Sequence, residues 1–220
     1  MTQTKAKDGL ENHQYVNQDS GNTEWYTPRV YVKAAQALMG SIDLDPACSL
    51  DAWLFHERHS KRFYSENGLD RHWNGNVWMN HPFSAGEGTC AARCKKKACE
   101  KRAAALGRAE PVHITEPIPA NEDWISRLVD GYECSAIPQA CNITFAAMSA
   151  GWMTRLKRFP QFFSDRRVSY VDPVSLQEVS GCTKDSVFTW LYPHWKMSYA
   201  DAAFEMNRVF AGLGVAGWAK

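Results

Sequence analysis

The chain has 220 residues and a formal net charge of +1 at pH 7, which excludes a globally basic nucleic-acid binder; contact with DNA would need a local patch. Hydrophobic residues make up 45% of the sequence and charged residues 22%, as in a globular domain with one sizeable core. No apolar run approaches the ~18 residues that would span a membrane. Residues 1–22 are polar and lack the apolar segment of a secretory signal, so we expect a flexible leader and a cytoplasmic protein.

From residue 23 onward, helix and strand signals alternate. Pro28 opens a helix that Gly40 ends, and the tail is predicted to be helical over 199–210, with Ala203, Phe204, Met206 and Phe210 as its main apolar residues. The elements between them are predicted, in chain order, as a strand over 41–47, a helix over 50–62, strands over 62–64 and 77–80, a helix over 122–132, a strand over 139–147, a helix over 149–159, and strands over 161–163 and 186–192. This alternation predicts one α/β domain over 23–220 with a largely parallel sheet, whose ligands bind at the carboxyl ends of the strands.

The segment Asn80-His81-Pro82-Phe83 follows the apolar run of the predicted strand at 77–79. The amide oxygen of Asn80 and the backbone carbonyl of His81 can accept hydrogen bonds from an exocyclic amino group, and the Phe83 ring can stack on a base lifted out of a helix. These four residues are therefore the candidate catalytic residues for chemistry on a base amino nitrogen.

Several blocks in a fixed order resemble the phage-type Dam DNA N-6-adenine methyltransferase family over about residues 23–192. The blocks are Glu24-Trp25-Tyr26-Thr27-Pro28, Ile42-Asp43-Leu44-Asp45-Pro46-Ala47-Cys48, Asn67-Gly68-Leu69, Trp73-Asn74-Gly75-Asn76-Val77-Trp78-Met79-Asn80, Gln139 to Ala146, and Arg167 to Tyr170. The resemblance implies a Rossmann-like S-adenosylmethionine-dependent fold, methyl transfer to adenine N6 in DNA, and the host cytoplasm if the chain is phage-encoded. The chain departs from the family in having His81 where Pro is usual, and in an insertion at about 85–120.

Two acidic residues have the spacing of a cofactor site. Asp45 could pair with the ammonium of S-adenosylmethionine and Glu66, about 20 residues on, could bind its ribose hydroxyls. Asp43 competes for the first role and Asp70 for the second, and the resemblance favours Asp45. Without a Gly-x-Gly after Asp45, the close backbone approach to the cofactor would have to be made by Ala47, Cys48 and Ser49; Pro46 of the same block is a further cofactor-binding candidate. The resemblance also adds Thr27 and Pro28, whose helix N-terminus could meet the carboxylate; an ordinary N-cap is the alternative.

His81 leaves several interpretations open. Its backbone carbonyl serves the amino group as the usual Pro would, while its ring could contact a phosphate or the base, bind metal, or be a buried structural group. The change could also mean lost or altered activity.

Three cysteines lie within the insertion, at Cys90, Cys94 and Cys99. A tetrahedral zinc site needs four ligands, and the fourth is expected from His113, with Cys134 and His81 as alternatives. One regular helix could not bring all three thiols to one metal, so the segment would have to bend. The other interpretation is a surface helix with free thiols.

Basic residues accompany these cysteines and could track DNA phosphates, although a solvated surface is the alternative. They are Arg93, Lys95, Lys96, Lys97, Lys101 and Arg102, with Arg166 and Arg167 as a second, smaller group. DNA is therefore the expected partner, with no membrane and no obligate protein partner. Rival functions are a non-catalytic nucleic-acid-binding module on the same fold and a cytosine-N4 methyltransferase.

Overall fold

The computed structural model describes residues 25–91, 94–179 and 184–217; the expected leader at 1–22 lies outside these ranges. Across the described ranges, none of the helices combines the length and the apolar character needed to cross a bilayer.

Five α-helices and nine strands make up the described chain. The helices are α1 (Arg29–Met39), α2 (Leu50–Phe55), α3 (Lys97–Ala105), α4 (Asn121–Glu133) and α5 (Tyr199–Val209). The strands are β1 (Leu44–Asp45), β2 (Arg62–Phe63), β3 (Val77–Met79), β4 (Ala85–Glu87), β5 (Ile118–Ala120), β6 (Ala140–Phe145), β7 (Gln161–Ser164), β8 (Ser186–Leu191) and β9 (Gly214–Gly217). Short 3₁₀ helices cover Gly68–Asp70 and Gly151–Arg155.

Seven strands form the main sheet in the order β2-β1-β3-β6-β8-β7-β9. The first four are parallel, β8 is antiparallel to β6 and β7, and β9 is antiparallel to β7. Strand β7 therefore runs with the first four, and five strands share one direction. The predicted α/β class is confirmed, and the sheet is mixed because β8 and β9 are reversed.

Helices cover both faces of this sheet. One face packs α1 and α5 against residues such as Trp78 and Phe188. The other packs α4 and the 3₁₀ segment Gly151–Arg155 against residues such as Met79 and Leu191. Strands buried on both faces explain the apolar runs that the sequence shows at β3 and β8.

Two sequence expectations are corrected, and one residue of the tail helix is unexpectedly exposed. The second helix stops at Phe55 because Glu57 and Arg58 take positive φ values of 58° and 60°, which no helix accommodates. The helix expected over 149–159 is only the 3₁₀ segment Gly151–Arg155. Phe204 is 71% exposed: Ala203, Met206 and Phe210 share one helical face, and Phe204 lies outside it.

Candidate functional site

The sheet changes winding direction between β1 and β3. The chain leaves β1 for β2 on one side and returns to β3 on the other side of β1. Asp45 ends β1 and Asn80 follows β3, so both lie where the carboxyl ends of two neighbouring parallel strands meet. Such a switch point is where open α/β sheets bind their ligands.

Residues from separate sequence blocks converge on this crevice. Asn80 Nδ2 donates a hydrogen bond to the Trp25 carbonyl at 3.3 Å. Tyr26 pairs with Val171 through two backbone hydrogen bonds of 3.1 and 2.9 Å. Gly68 packs so closely on the turn after β1 that an added Cβ would lie 1.9 Å from the Pro46 carbonyl oxygen. The crevice is therefore assembled from parts of the chain that are far apart in sequence.

Asp45 is buried, and both of its carboxylate oxygens accept hydrogen bonds. Oδ1 accepts from the Ala47 amide at 3.1 Å, and Oδ2 lies 2.8 Å from Nε2 of the buried His59. Sequence reasoning missed His59, which belongs to no motif. The Thr27 hydroxyl, just before α1, is also buried and meets no hydrogen-bond partner among the described residues.

Asp43, the competitor of Asp45, lies at the amino end of β1, whereas Asp45 lies at its carboxyl end. It precedes β1, pairs with Lys61 at 2.6 Å and accepts the Asn76 amide at 2.8 Å. Desolvation raises the pKa of its carboxyl, but Lys61 and Asn76 outweigh this and the pKa is lowered overall. Glu66 and Asp70 are both exposed in the segment after β2, so the geometry leaves that choice open.

Asp45, Cys48 and His59 also bring three potential metal-ligand atoms within 4.8 Å of one another. The Asp45–His59 distance of 2.8 Å is that of a hydrogen bond. Ligand atoms around one tetrahedral zinc would stand about 3.3 Å apart for bonds near 2.0 Å. The group is accounted for as a hydrogen-bonded pair with a neighbouring thiol.

The His81 ring points into the protein. Its Nε2 lies 3.1 Å from Asn121 Oδ1, and the ring stacks on Trp124 with centroids 5.9 Å apart. Burial lowers its pKa to about 4, against the opposing effect of the Asn121 hydrogen bond. Of the interpretations left open by the sequence, burial and the Asn121 and Trp124 contacts favour the structural group, and the ring is not part of the cysteine cluster.

The other residues of the tetrad, the segment Asn80-His81-Pro82-Phe83, are more accessible. Pro82 is exposed and Phe83 is half-buried, with its ring 4.4 Å from that of Phe145. Asn80 Oδ1 accepts no hydrogen bond within the described ranges, although Nδ2 is held by Trp25. The amide is thus fixed at one end and has a free acceptor at the other.

A cavity of about 580 Å³ opens beside the tetrad. Asn121, which contacts His81, and Phe145, which contacts Phe83, belong to its lining, whereas Asp45 and Asn80 do not. The other lining residues are Ser84, Ala85, Ala120, Glu122, Ala146, Ala147, Trp152, Lys184 and Asp185. Trp152 was not singled out from sequence because an isolated Trp is most often a core residue.

The insertion holds a cluster that could bind a metal ion. One ligand atom from each of Cys90, Cys94, Cys99 and His113 lies within 4.8 Å of the other three. The Cys99 sulfur is 3.6 Å from that of Cys90 and 3.7 Å from that of Cys94. Zinc–sulfur bonds of about 2.3 Å in a tetrahedron place sulfurs about 3.8 Å apart, so the spacing fits.

The bend that this cluster requires is present. Helix α3 begins only at Lys97, so Cys90 and Cys94 lie outside it, and the surface-helix alternative does not hold for them. Backbone hydrogen bonds from Cys90 to Ile114 at 2.8 Å and from Val112 to Cys99 at 3.1 Å fold the segment back on itself. The alternative fourth ligands lie elsewhere: Cys134 caps α4, and His81 is buried beside Trp124.

Cys90 and Cys99 differ electrostatically. The Ile114 amide donates to the Cys90 sulfur at 3.3 Å and, with the neighbouring groups, lowers the Cys90 pKa to about 7. Burial and the adjoining thiols raise the pKa of Cys99 to about 11.

The basic candidates divide into exposed and paired side chains. Lys95, Lys96 and Lys97 are exposed, with Lys96 at 4.0 Å from Glu87. Arg102 instead turns inward to Glu87 at 3.0 Å. In the smaller group Arg166 is exposed and Arg167 pairs with Asp185 at 3.1 Å; Arg93 lies outside the described residues.

Comparison with known proteins gives no relative: no protein-family model matches the chain, and no curated protein or solved structure matches it significantly.

Proposed function

We propose that this protein is an S-adenosylmethionine-dependent DNA methyltransferase that acts on the N6 amino group of adenine. The observation that carries the proposal is the Asn80 amide, anchored through Nδ2 with Oδ1 free, one strand away from Asp45 at the switch point of the sheet. A mixed sheet with this switch point is compatible with the Rossmann-like fold of such enzymes.

The cofactor site would be formed by Thr27, Pro28, Asp45, Pro46, Ala47 and Glu66. The residues fit because the buried Thr27 hydroxyl has no described partner and Pro28 directly precedes α1, where backbone amides favour a carboxylate. Asp45 provides the negative charge for an ammonium group, and His59 holds that carboxylate in place at 2.8 Å. The bound cofactor supplies an electrophilic methyl group.

The base would be held by the tetrad. Asn80 Oδ1 and the His81 carbonyl accept hydrogen bonds from N6 and direct its lone pair away from the ring. The buried His81 ring, packed between Asn121 and Trp124, fixes the loop that carries this carbonyl. Phe83 provides the stacking surface, so that the protein contributes mainly position and electrostatics.

We also assign zinc to the cluster of Cys90, Cys94, Cys99 and His113. The donor set of three thiolates and one imidazole is typical of structural zinc, and the sulfur separations of 3.6 and 3.7 Å match a tetrahedron. Four protein ligands leave no open position, so the metal would support structure and take no part in transfer.

Two rival functions share this geometry. A non-catalytic DNA-binding module would keep the fold without the cofactor, and a cytosine-N4 methyltransferase would use the same amide for another amino group. Isothermal calorimetry with S-adenosylmethionine separates the first rival: we expect stoichiometric binding, and DNA binding without any cofactor binding would contradict the proposal. Identification of the methylated base separates the second.

A further inference from the structure

Residues 85–120 form an insertion lobe that starts and ends on a two-stranded ribbon. In the ribbon Ala85 pairs with Ala120, and Glu87 pairs with Ile118. The strands are close at Gly86, where φ is 78° and an added Cβ would lie 2.8 Å from that of Ala120. The ribbon is therefore a tightly packed base from which the rest of the lobe projects.

The insertion lobe has little apolar core of its own. Among its described side chains, the buried apolar ones are Cys99, Ala103 and Ile114. Ordering each residue costs conformational entropy, and small units without a sufficient core are usually held by metals or disulfides. The cysteine cluster is placed to supply that support.

The cluster is linked to the wall of the 580 Å³ cavity through one guanidinium. Arg102 Nη1 donates to the Val112 carbonyl at 2.8 Å and approaches the Cys99 sulfur at 3.8 Å. Its Nη2 binds Glu87 Oε2 on β4 at 3.0 Å. The same ribbon provides Ala85 and Ala120 to the cavity lining. A continuous chain of contacts therefore joins the cysteine cluster to the ribbon that lines the cavity.

The outer surface of the insertion lobe is basic where the cluster bends. Lys95, Lys97 and Lys101 are exposed, and none of them makes an ion pair with another described residue. Lysines in this state can neutralise phosphates and release counterions.

We infer that metal bound at Cys90, Cys94, Cys99 and His113 orders the insertion lobe as a DNA-contacting wall of the cavity. Loss of the metal releases the ribbon and the exposed lysines of the insertion lobe but leaves the crevice between β1 and β3 intact. The inference rests on the proposed function for its choice of DNA as the partner.

The first test measures DNA binding by fluorescence anisotropy with a labelled random-sequence duplex over a range of salt concentrations. Zinc-loaded protein is compared with chelator-treated protein and with Cys94→Ser, and Cys134→Ser, an exposed cysteine outside the cluster, is the matched control. We expect the first two changes to weaken binding at least tenfold and to reduce the slope of log K against log salt by about 3, one for each lysine. Calorimetric affinity for S-adenosylmethionine should stay within twofold.

The lysines themselves are tested by Lys95→Gln combined with Lys97→Gln in zinc-loaded protein, with the exposed Lys196→Gln as control. The double variant should reduce the salt slope by about 2 and the control should leave it unchanged. An unchanged slope in the double variant would contradict a phosphate-facing role for the lobe.

The second test measures coupling without DNA. Hydrogen–deuterium exchange should be slower with zinc at the ribbon amides of residues 85–87, 118 and 120, as well as at the cluster. Protection confined to residues 90–113 would contradict coupling between the cluster and the ribbon. In the first test, DNA affinity that metal removal leaves unchanged, or no DNA binding by zinc-loaded protein, would also overturn the inference. Zinc-dependent DNA binding without methyl transfer would sustain this inference and refute the proposed function; methyl transfer with zinc-independent DNA binding would do the reverse.

Discussion

Asp45 has two tasks in this account: it holds the turn after β1, and it offers its charge to the cofactor. We expect Asp45→Ala to weaken S-adenosylmethionine binding by about 1.5–3 kcal/mol, the effect of losing a charge-assisted hydrogen bond. Calorimetry measures this, with Asp43→Ala as the control, since Asp43 lies at the amino end of β1 and pairs with Lys61. A larger loss of affinity in the Asp43 variant would show that the ammonium group pairs with Asp43 and would contradict its assignment to Asp45.

Asn80 is expected to act on the base and not on the cofactor. Asn80→Ala should abolish methyl transfer and leave cofactor affinity nearly unchanged, because the free acceptor is directed at the amino group of the base. Phe83→Ala should have the same effect by removing the stacking surface. Transfer rates are compared with those of Asn74→Ala, an exposed asparagine of the preceding loop. Near wild-type transfer by either tetrad variant would refute the assignment of the tetrad.

The buried His81 should make stability depend on pH. Its pKa is lowered to about 4 in the folded protein, from 6.5. As the pH falls below 6.5 the unfolded chain takes up a proton that the folded protein does not bind, so the free energy of unfolding decreases, by up to about 1.4 kcal/mol per pH unit, until about pH 4. His81→Gln should remove this part of the slope in denaturant titrations, and the exposed His72→Gln should not. Equal slopes for wild type and His81→Gln would contradict a neutral buried ring.

At the scale of elements, the crevice depends on the close approach of the Gly68 segment to the turn after β1. Gly68→Ala places a Cβ 1.9 Å from the Pro46 carbonyl oxygen, and neither atom belongs to a flexible side chain. We expect a loss of about 1–3 kcal/mol in the free energy of unfolding and weaker cofactor binding. Gly151→Ala is the control, since its added Cβ meets open space. Thermal and denaturant unfolding measure the first effect and calorimetry the second; wild-type values for both would show that the approach is not required.

Several helices and strands of the main α/β unit were predictable because their sequence signals are local. The Pro28 and Gly40 boundaries of α1 and the apolar runs of β3 and β8 need no tertiary information. The early end of α2 was not predictable, since the left-handed residues Glu57 and Arg58 leave no pattern in hydrophobic periodicity. The 3₁₀ segment Gly151–Arg155 was also missed. The ribbon of β4 and β5 was missed because its pairing joins residues more than thirty positions apart.

At the scale of the whole molecule, the convergence of Asp45 and Asn80 followed from parallel-sheet topology, and the structure has them at neighbouring strand ends. The bend that gathers Cys90, Cys94, Cys99 and His113 could be stated from sequence only as a requirement, since three thiols on one helix cannot meet. His59 and the cavity could not be foreseen, because each depends on tertiary packing of segments without a motif.

The central claim is transfer of a methyl group to adenine N6 in DNA, and its most direct test identifies the modified base. Zinc-loaded protein and S-adenosylmethionine are incubated with unmethylated genomic DNA, which contains every short recognition sequence, and the digested nucleosides are separated by mass spectrometry. Asn80→Ala serves as the inactive control. The account predicts N6-methyladenine that depends on the cofactor and on Asn80. N4-methylcytosine, or no methylated base at all from protein that binds the cofactor, would contradict it.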